Sequence, residues 1–261
     1  MIVINNAQGK LPLSETAASR REYRDGNSSV YEYEVVCEHF MEMIVNGIHV
    51  LTLSCSPSDL AELAVGRLKT EGMIDSTDDI EKIFICGKGE ICEVTLTKQL
   101  RAVQTVPREP SCCTGNKVYA ETERKFPVLP CAEPDMRKVF ELADMFGRDG
   151  KLHKSTGGTH SCYLHTGRDI VSFEDIGRHN AVDKAVGYML MQGLDPACCM
   201  LFTTGRIADD MAVKAVMSGI PVLVSKSVPT HRAILTAKEH SLILICKAWP
   251  DSCTVICGGG R

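Results

Sequence analysis

Two adjacent cysteines, Cys112 and Cys113, are the residues of this chain best suited to thiolate chemistry. They lie in the segment 103–120, where two prolines and a glycine disfavour a helix or a central strand, so a surface loop is predicted. Two basic residues nearby, Arg108 and Lys117, favour the thiolate, the form of cysteine that attacks other sulfur atoms. The pair is therefore a candidate nucleophile. The alternative is that both are chemically idle loop cysteines.

A second group of polar residues, Arg178 and His179, comes shortly before a predicted helix. Apolar side chains in residues 182–190 recur at i, i+3, i+4, i+7 and i+8, which predicts a helix with one buried stripe. Asn180 or Asp175 is expected to cap that helix. Free backbone N–H groups and the positive end of the helix dipole then favour an anion site. Alternatively, Arg178 and His179 only tie the turn to neighbouring carboxylates.

The composition is typical of a soluble globular protein with room for one large or two small domains: 261 residues, 44% hydrophobic and 24% charged. A net charge of −4 and few aromatic residues argue against a nucleic-acid partner. The sequence has no basic leader before an apolar run and no apolar segment long enough for a bilayer. The 13 scattered cysteines suit a reducing cytoplasm, where most thiols are small buried apolar groups. We therefore expect a cytoplasmic protein without nucleic-acid or membrane partners.

Three segments of different character divide the chain. Residues 1–28 are polar and are predicted to be a flexible arm. Residues 29–130 are predicted to form a smaller, β-rich domain with one helix and the Cys112 loop, because alternating apolar residues and an Asn-Gly hairpin signal precede a single helical stripe. Three prolines within 125–134 mark a linker, and residues 131–261 are predicted to form an α/β domain.

Strands and helices alternate in the C-terminal part of the chain. They are predicted as strand 198–203, helix 209–218, strand 222–225, helix 230–240 and strand 242–246. This alternation implies right-handed crossovers and a parallel sheet covered by helices. In open parallel sheets, ligands bind beyond the carboxyl ends of the strands.

Three polar loops follow these predicted strands, at 203–206, 225–230 and 247–251. They supply hydroxyls, a glycine, an arginine and two lysines, which are groups that hold phosphate oxygens. His160 and the corner at Arg178 are expected at the same edge of the sheet. The sequence thus favours a diphosphate or nucleotide site over a set of solvated loops.

Several strings in the sequence are similar to those of one family. They are Gly-Gly-Thr-His at 157–160, Glu-Asp-Ile-Gly-Arg-His-Asn-Ala-Val-Asp-Lys at 174–184, Thr-Thr-Gly-Arg at 203–206, and the runs 214–224 and 227–230. The chain resembles the formate dehydrogenase accessory sulfurtransferase family, FdhD. The resemblance covers roughly residues 38–246 and is densest over residues 156–230.

The resemblance implies a fold, an activity and partners. The implied fold is α/β, with a cytidine-deaminase-like three-layer domain joined to the smaller β-rich N-terminal domain. The implied activity is that of a sulfurtransferase, in which a cytoplasmic homodimer takes persulfide sulfur from a cysteine desulfurase. The sulfur passes to the bis-molybdopterin guanine dinucleotide cofactor before this cofactor enters formate dehydrogenase. An alternative is a divergent, non-catalytic chaperone that binds the molybdenum cofactor or a guanine nucleotide without sulfur transfer.

The resemblance also implies that the guanine nucleotide end of the cofactor binds at the site described above. The residues implied to bind it are Gly157, Gly158, Thr159, His160, Glu174, Asp175, Arg178, His179, Asn180, Asp183, Gly205, Arg206, Ser225, Ser227, Cys246 and Lys247. The sulfur carrier is assigned to Cys112, with Cys113 as a candidate second thiol.

The chain departs from the family pattern at two places. The family loop has Ser-Cys, two further residues and a second cysteine, whereas Gly115 occupies the second position here and Cys113 directly follows Cys112. Neighbouring cysteines form only a strained disulfide. The last predicted strand runs into Lys247-Ala-Trp-Pro250, where the family has a basic turn with glycine.

A metal centre is not predicted. Cys246, Cys253 and Cys257 lie near each other in sequence, but the paired two-residue spacing of structural zinc sites is missing. A zinc deaminase, the third interpretation suggested by the implied fold, ranks last because the chain has no Pro-Cys-x-x-Cys segment.

Overall fold

A computed structural model describes residues 1–98, 126–146 and 150–258. Two β-sheets, each covered by helices, and one separate hairpin make up this part of the chain. Within the described ranges, the helices are all too short or too polar to span a lipid bilayer.

The N-terminal part is built on a five-stranded sheet. Its elements are β1 (Ile2–Asn5), β2 (Ser14–Glu22), β3 (Ser28–Val36), β4 (His39–Val45), β5 (Ile48–Cys55), α1 (Leu60–Thr70), β6 (Ile80–Ile85) and β7 (Ile91–Leu96). The sheet order is β1-β6-β7-β4-β5, while β2 and β3 pair only with each other. Buried residues alternate with exposed ones along β7, and the buried side packs with α1 into one core.

The predicted hairpin at Asn46 and Gly47 is confirmed. Both residues have positive φ angles, 49° and 79°, and they join the antiparallel strands β4 and β5. A turn of this kind favours Asn-Gly because both central residues must adopt φ above zero.

Residues 1–28 differ from the flexible arm expected of them. Residues Ile2–Asn5 form β1, which pairs in parallel with β6, and Ser14–Glu22 form β2. The strand β2 is polar and its side chains are mostly exposed, so it gives no alternating apolar pattern. The strand β1 has only three apolar residues, Ile2, Val3 and Ile4, which is too short a run to identify a strand. The division into domains at residues 28 and 130 stays a prediction.

The C-terminal part is built on a six-stranded sheet. Its elements are α2 (Met136–Phe146), α3 (Lys151–Thr156), β8 (His160–His165), β9 (Ile170–Asp175), α4 (Arg178–Met191), β10 (Met200–Thr203), α5 (Asp209–Ser218), β11 (Val222–Ser225), α6 (His231–Glu239), β12 (Ile243–Cys246) and β13 (Thr254–Cys257). The sheet order is β13-β12-β11-β10-β8-β9. The strands β10, β11 and β12 are parallel, as the sequence predicts, and the remaining pairs are antiparallel.

Helices cover both faces of this six-stranded sheet. On one face, α4, α5 and α6 contribute small and branched side chains to a core with the inward residues of the strands. On the other face, α2 packs Val139, Leu142 and Ala143 against Tyr163 and Phe202. The chain therefore has a mixed α/β architecture with helices on both faces of this sheet. The cytidine-deaminase likeness stays a prediction.

The helices α1 and α4 connect the two sheets at a very close crossing. A Cβ atom added at Gly66 would lie 1.7 Å from the carbonyl oxygen of Asp183, and one added at Gly187 would lie 1.8 Å from that of Glu62. Only glycine fits where two backbones approach so closely. The position of α4, which carries residues 178–184 of the string, thus depends on α1.

Replacing Gly187 with alanine is expected to lower the free energy of unfolding by about 2 kcal/mol. The clash must push the two helices apart, which outweighs the gain that alanine brings inside a helix. Thermal or urea unfolding measures the effect. Gly87→Ala is the control, because a Cβ there meets open space; equal stability of both variants would contradict the account.

Candidate functional site

A cleft of about 550 Å³ lies at the carboxyl edge of the parallel strands. Its lining residues are His153, Gly157, Gly158, Thr159, His160, Ser161, Thr204, Lys226, Ser227 and Trp249. They come from α3, from the loop before β8 and the start of that strand, and from the loops that follow β10, β11 and β12. The structure therefore brings together all three polar loops and the Gly-Gly-Thr-His string.

The loop 157–160 is shaped by two glycines and held by one carboxylate. Gly157 ends α3 with a φ of 66°, and a Cβ at Gly158 would lie 2.7 Å from Val36. Glu174 accepts the backbone N–H groups of Leu152 and His153 at 3.1 and 2.7 Å. It also accepts the Thr159 hydroxyl at 3.2 Å. Glu174 thus anchors the loop rather than lining the cleft.

His160 and Thr204 join the loop to the end of β10. The Nδ1 atom of His160 lies 3.3 Å from Oγ1 of Thr204, and the same hydroxyl accepts the N–H of Ser161 at 3.3 Å. These groups offer a hydroxyl and an imidazole to the cleft. Both can form hydrogen bonds with a phosphate or a base.

The pKa of His160 is lowered below 6.5 mainly by burial, and further by the positive charges of Arg178, His153 and His179, although Asp175 opposes them. His160 is therefore expected to be neutral at pH 7. Because the unfolded chain binds the proton more readily, the contribution of His160 to stability is lost as pH falls below about 6.5. An NMR titration, assigned with His160→Gln, should give a midpoint below 6.5. A midpoint above 6.5 would contradict this electrostatic environment.

Arg178 and His179 begin α4, but neither lines the cleft directly. Nε2 of His179 lies 2.9 Å from Oδ2 of Asp210. Burial raises the pKa of Asp210, but the hydrogen bond and charge of His179, together with the charges of Arg178 and Lys214, outweigh burial and hold that pKa below its usual value. The Arg178 side chain packs over Gly205, where a Cβ would lie 2.9 Å from its Cδ. His179 therefore ties the turn to the carboxylate of Asp210, which is the alternative role that the sequence left open for it.

Asp175 is a buried anchor and not part of the cleft wall. Its carboxylate accepts the N–H groups of Ser56 and Gly177 at 3.0 and 2.8 Å. It also lies 2.8 Å from Nζ of Lys184 and accepts the amide of Asn180 at 2.9 Å. The cap expected from Asp175 or Asn180 is wrong, because the N-cap residue of α4 is Gly177 and no side chain caps it.

Asp183 is likewise inside the protein. It lies 2.7 Å from Nζ of Lys214 and accepts the Thr70 hydroxyl at 2.8 Å, while Arg67 lies 3.7 Å away. Asp175 and Asp183 are both fully buried, so this geometry gives them a structural role. It does not support the ligand contacts expected of them.

The remaining predicted site residues differ in their exposure. Ser225 is buried and joins two loops, since it donates to the Gly205 carbonyl at 2.7 Å and accepts the Ser227 N–H at 2.9 Å. Burial raises the pKa of Cys246 to about 12, so this thiol stays protonated in the core. Arg206 and Lys247 are exposed and do not line the cleft.

Sequence reasoning missed several lining residues. Thr204, Lys226 and Trp249 stand in the loops that the sequence singled out, so their loop membership was an available signal. His153 had no such signal, because its place beside the cleft depends on bonds of α3 to Glu174 and of its own ring to the Thr159 carbonyl.

The candidate nucleophiles Cys112 and Cys113 lie outside the described residues. Cysteines within the described ranges are free thiols, and Cys131 and Cys198 among them are exposed. The expected strand at 198–203 begins only at Met200, because Pro196–Cys198 forms a short 3-10 helix capped by Asp195. Across residues 1–98, 126–146 and 150–258, no group of three His, Cys, Asp or Glu residues is placed to hold a metal ion.

Comparisons with known proteins agree on one family. Residues 36–261 match the model of the FdhD/NarQ family. The curated "Sulfur carrier protein FdhD" of Wolinella succinogenes is 30% identical over 235 residues, covering 87% of this chain and 82% of the relative. The protein of the same description from Bacillus licheniformis is 31% identical over 236 residues, covering 87% and 90%.

A solved structure shares the fold. It is the crystal structure of a protein from Desulfotalea psychrophila that is described as a formate dehydrogenase accessory protein. The two chains are 24% identical, with a TM-score of 0.79 over 94% of this chain and 97% of the other. The family model and the curated relatives cover most of the sequence. This chain therefore belongs to the FdhD/NarQ family.

Proposed function

We propose that this protein is a sulfur carrier in the maturation of formate dehydrogenase. In this proposal it takes persulfide sulfur from a cysteine desulfurase and passes it to the bis-molybdopterin guanine dinucleotide cofactor. Relatives that cover most of the chain are named sulfur carriers, which supports the role. The single observation that carries the binding step is the polar cleft at the carboxyl edge of the sheet.

The cleft offers the groups that a guanine nucleotide requires. The hydroxyls of Thr204 and Ser227 and the ammonium of Lys226 suit phosphate oxygens. The glycines at 157 and 158 allow a ligand to approach the backbone closely. In this proposal the cofactor is a client that binds transiently by its nucleotide end.

The loading step needs a thiolate, and we assign it to Cys112. The Cys112 thiolate attacks the outer sulfur of the desulfurase persulfide and forms a new S–S bond. The S–S bond of the donor breaks, and its cysteine leaves as a thiolate. Cys112 then carries a persulfide whose outer sulfur it presents to the bound cofactor.

The loading step is tested by intact mass spectrometry. After incubation with a cysteine desulfurase and cysteine, the protein should gain the mass of one sulfur atom, and dithiothreitol should remove it. A protein that gains no sulfur, from a desulfurase shown to be active, would contradict the proposal.

A second candidate function is a cofactor-binding chaperone without sulfur transfer. Gly115, which replaces the second cysteine of the family loop, favours it. Complementation separates the two functions in cells that lack their own accessory protein. If a double variant with Cys112→Ala and Cys113→Ala restores formate dehydrogenase activity as well as the unchanged protein does, the chaperone is correct; loss of activity supports the sulfur carrier.

The assembly and location expected from the family are also part of the proposal. We propose a cytoplasmic homodimer, which light scattering of the purified protein would test. A monomer at micromolar concentration would contradict the dimer.

A further inference from the structure

Trp249 is the only tryptophan of the chain, and it stands at the rim of the cleft. Its side chain is 44% exposed. A large aromatic ring this open to solvent leaves part of its surface available to pack against a ligand. It therefore presents an apolar face to whatever enters the cleft.

Backbone hydrogen bonds hold the loop that carries Trp249 in place before any ligand arrives. The N–H of Trp249 donates to the Ser252 carbonyl at 2.7 Å, and the N–H of Ser252 returns a bond at 3.3 Å. The two preceding N–H groups, of Lys247 and Ala248, donate to the carbonyls of Ser227 and Ser225 at 2.9 and 3.1 Å. The loop after β12 is thus bonded to the loop after β11.

A cation lies beside this ring. The Nζ atom of Lys226 is 4.7 Å from the centroid of the Trp249 ring, within the range of a cation–π contact. Lys226 also lines the cleft, as Ser227 next to it does. Lys226 therefore covers one face of the Trp249 ring, so a planar ligand has the opposite face of the ring to stack on.

We propose that Trp249 recognises the base of the bound nucleotide by stacking on it, while Lys226 binds the phosphate side. This inference rests on the proposed function and assigns the base-recognition role to a residue at which the chain departs from its family. Aromatic stacking is sequence-tolerant, because every base has a π-face. The pair therefore selects a planar ring joined to phosphates over phosphate alone.

Guanosine diphosphate and inorganic pyrophosphate are the two probes for this proposal. The fluorescence of the unchanged protein comes chiefly from Trp249, and guanosine diphosphate should quench it. By calorimetry, Trp249→Leu should lose about tenfold or more in affinity for guanosine diphosphate. Trp249→Phe should keep most of the affinity, because it keeps an aromatic face. Pyrophosphate should bind the unchanged protein and Trp249→Leu with equal affinity. Lys226→Gln should lower the affinity for both guanosine diphosphate and pyrophosphate.

Two outcomes would overturn the inference while leaving the proposed function intact. One is equal affinity of the unchanged protein and Trp249→Leu for guanosine diphosphate. The other is a Trp249→Leu variant whose affinities for guanosine diphosphate and for pyrophosphate fall equally. That result would mean that Trp249 affects phosphate binding and not recognition of the base. If the unchanged protein binds no guanosine diphosphate, the nucleotide site of the proposed function fails, and this inference fails with it. Matching thermal unfolding of all variants would show that each one is folded.

Discussion

Replacing Cys112 with alanine is expected to abolish the gain of one sulfur atom from a cysteine desulfurase. The variant lacks the thiolate that forms the new S–S bond. Formate dehydrogenase activity in complemented cells should fall to the level of cells without the protein. Intact mass spectrometry and enzyme assay measure the two effects.

The controls separate Cys112 from two exposed thiols in the described part of the chain. Cys131→Ala and Cys198→Ala remove exposed cysteines of the described part of the chain and should leave sulfur loading unchanged. Cys113→Ala asks whether the adjacent thiol takes part. If Cys112→Ala loads sulfur normally and Cys113→Ala does not, the carrier is Cys113 and the assignment to Cys112 is wrong.

Replacing Lys184 with methionine is expected to lower the free energy of unfolding by about 3–5 kcal/mol, the usual effect of breaking a buried ion pair. Lys184 and Asp175 are both fully buried and their charged atoms lie 2.8 Å apart. The ammonium also donates to the carbonyls of Ser56 and Glu174 and to the Ser58 hydroxyl. Its removal leaves a buried carboxylate without its cation. Chemical denaturation measures the loss.

An exposed ion pair provides the matched control. Arg232 and Asp209 lie 3.0 Å apart, but the Arg232 side chain is largely exposed. Arg232→Met should therefore change stability by about 0–1 kcal/mol. Adding Asp175→Asn to Lys184→Met should recover part of the loss, because it removes the uncompensated charge. A single Lys184→Met variant as stable as Arg232→Met would contradict this role of the pair.

The sequence predicted the features of the fold that local patterns carry. The Asn46-Gly47 hairpin and the parallel order of β10, β11 and β12 follow from turn chemistry and from alternating strands and helices. The strand β1 could not be predicted in this way. It depends on pairing with β6, about 80 residues away in the sequence, and its side chains face outward.

Local sequence patterns predicted the candidate site only in part. The loops after the parallel strands were predictable as neighbours, because the topology places their starts at one edge. The roles of the individual residues in these loops were not predictable from the sequence. Asp175 looks like a loop carboxylate in the sequence, but its partner Ser56 lies 119 residues earlier in the chain. Glu174 looks like a ligand, but it holds the N-terminal end of α3.

The central claim is that the cleft at the carboxyl edge of the six-stranded sheet binds the guanine nucleotide end of the cofactor. A crystal structure of the protein with guanosine diphosphate tests it most directly. We expect a nucleotide in the cleft, with its diphosphate near the loop 157–160 and Lys226 and its base against Trp249. A nucleotide bound at another surface, with this cleft unoccupied, would contradict it.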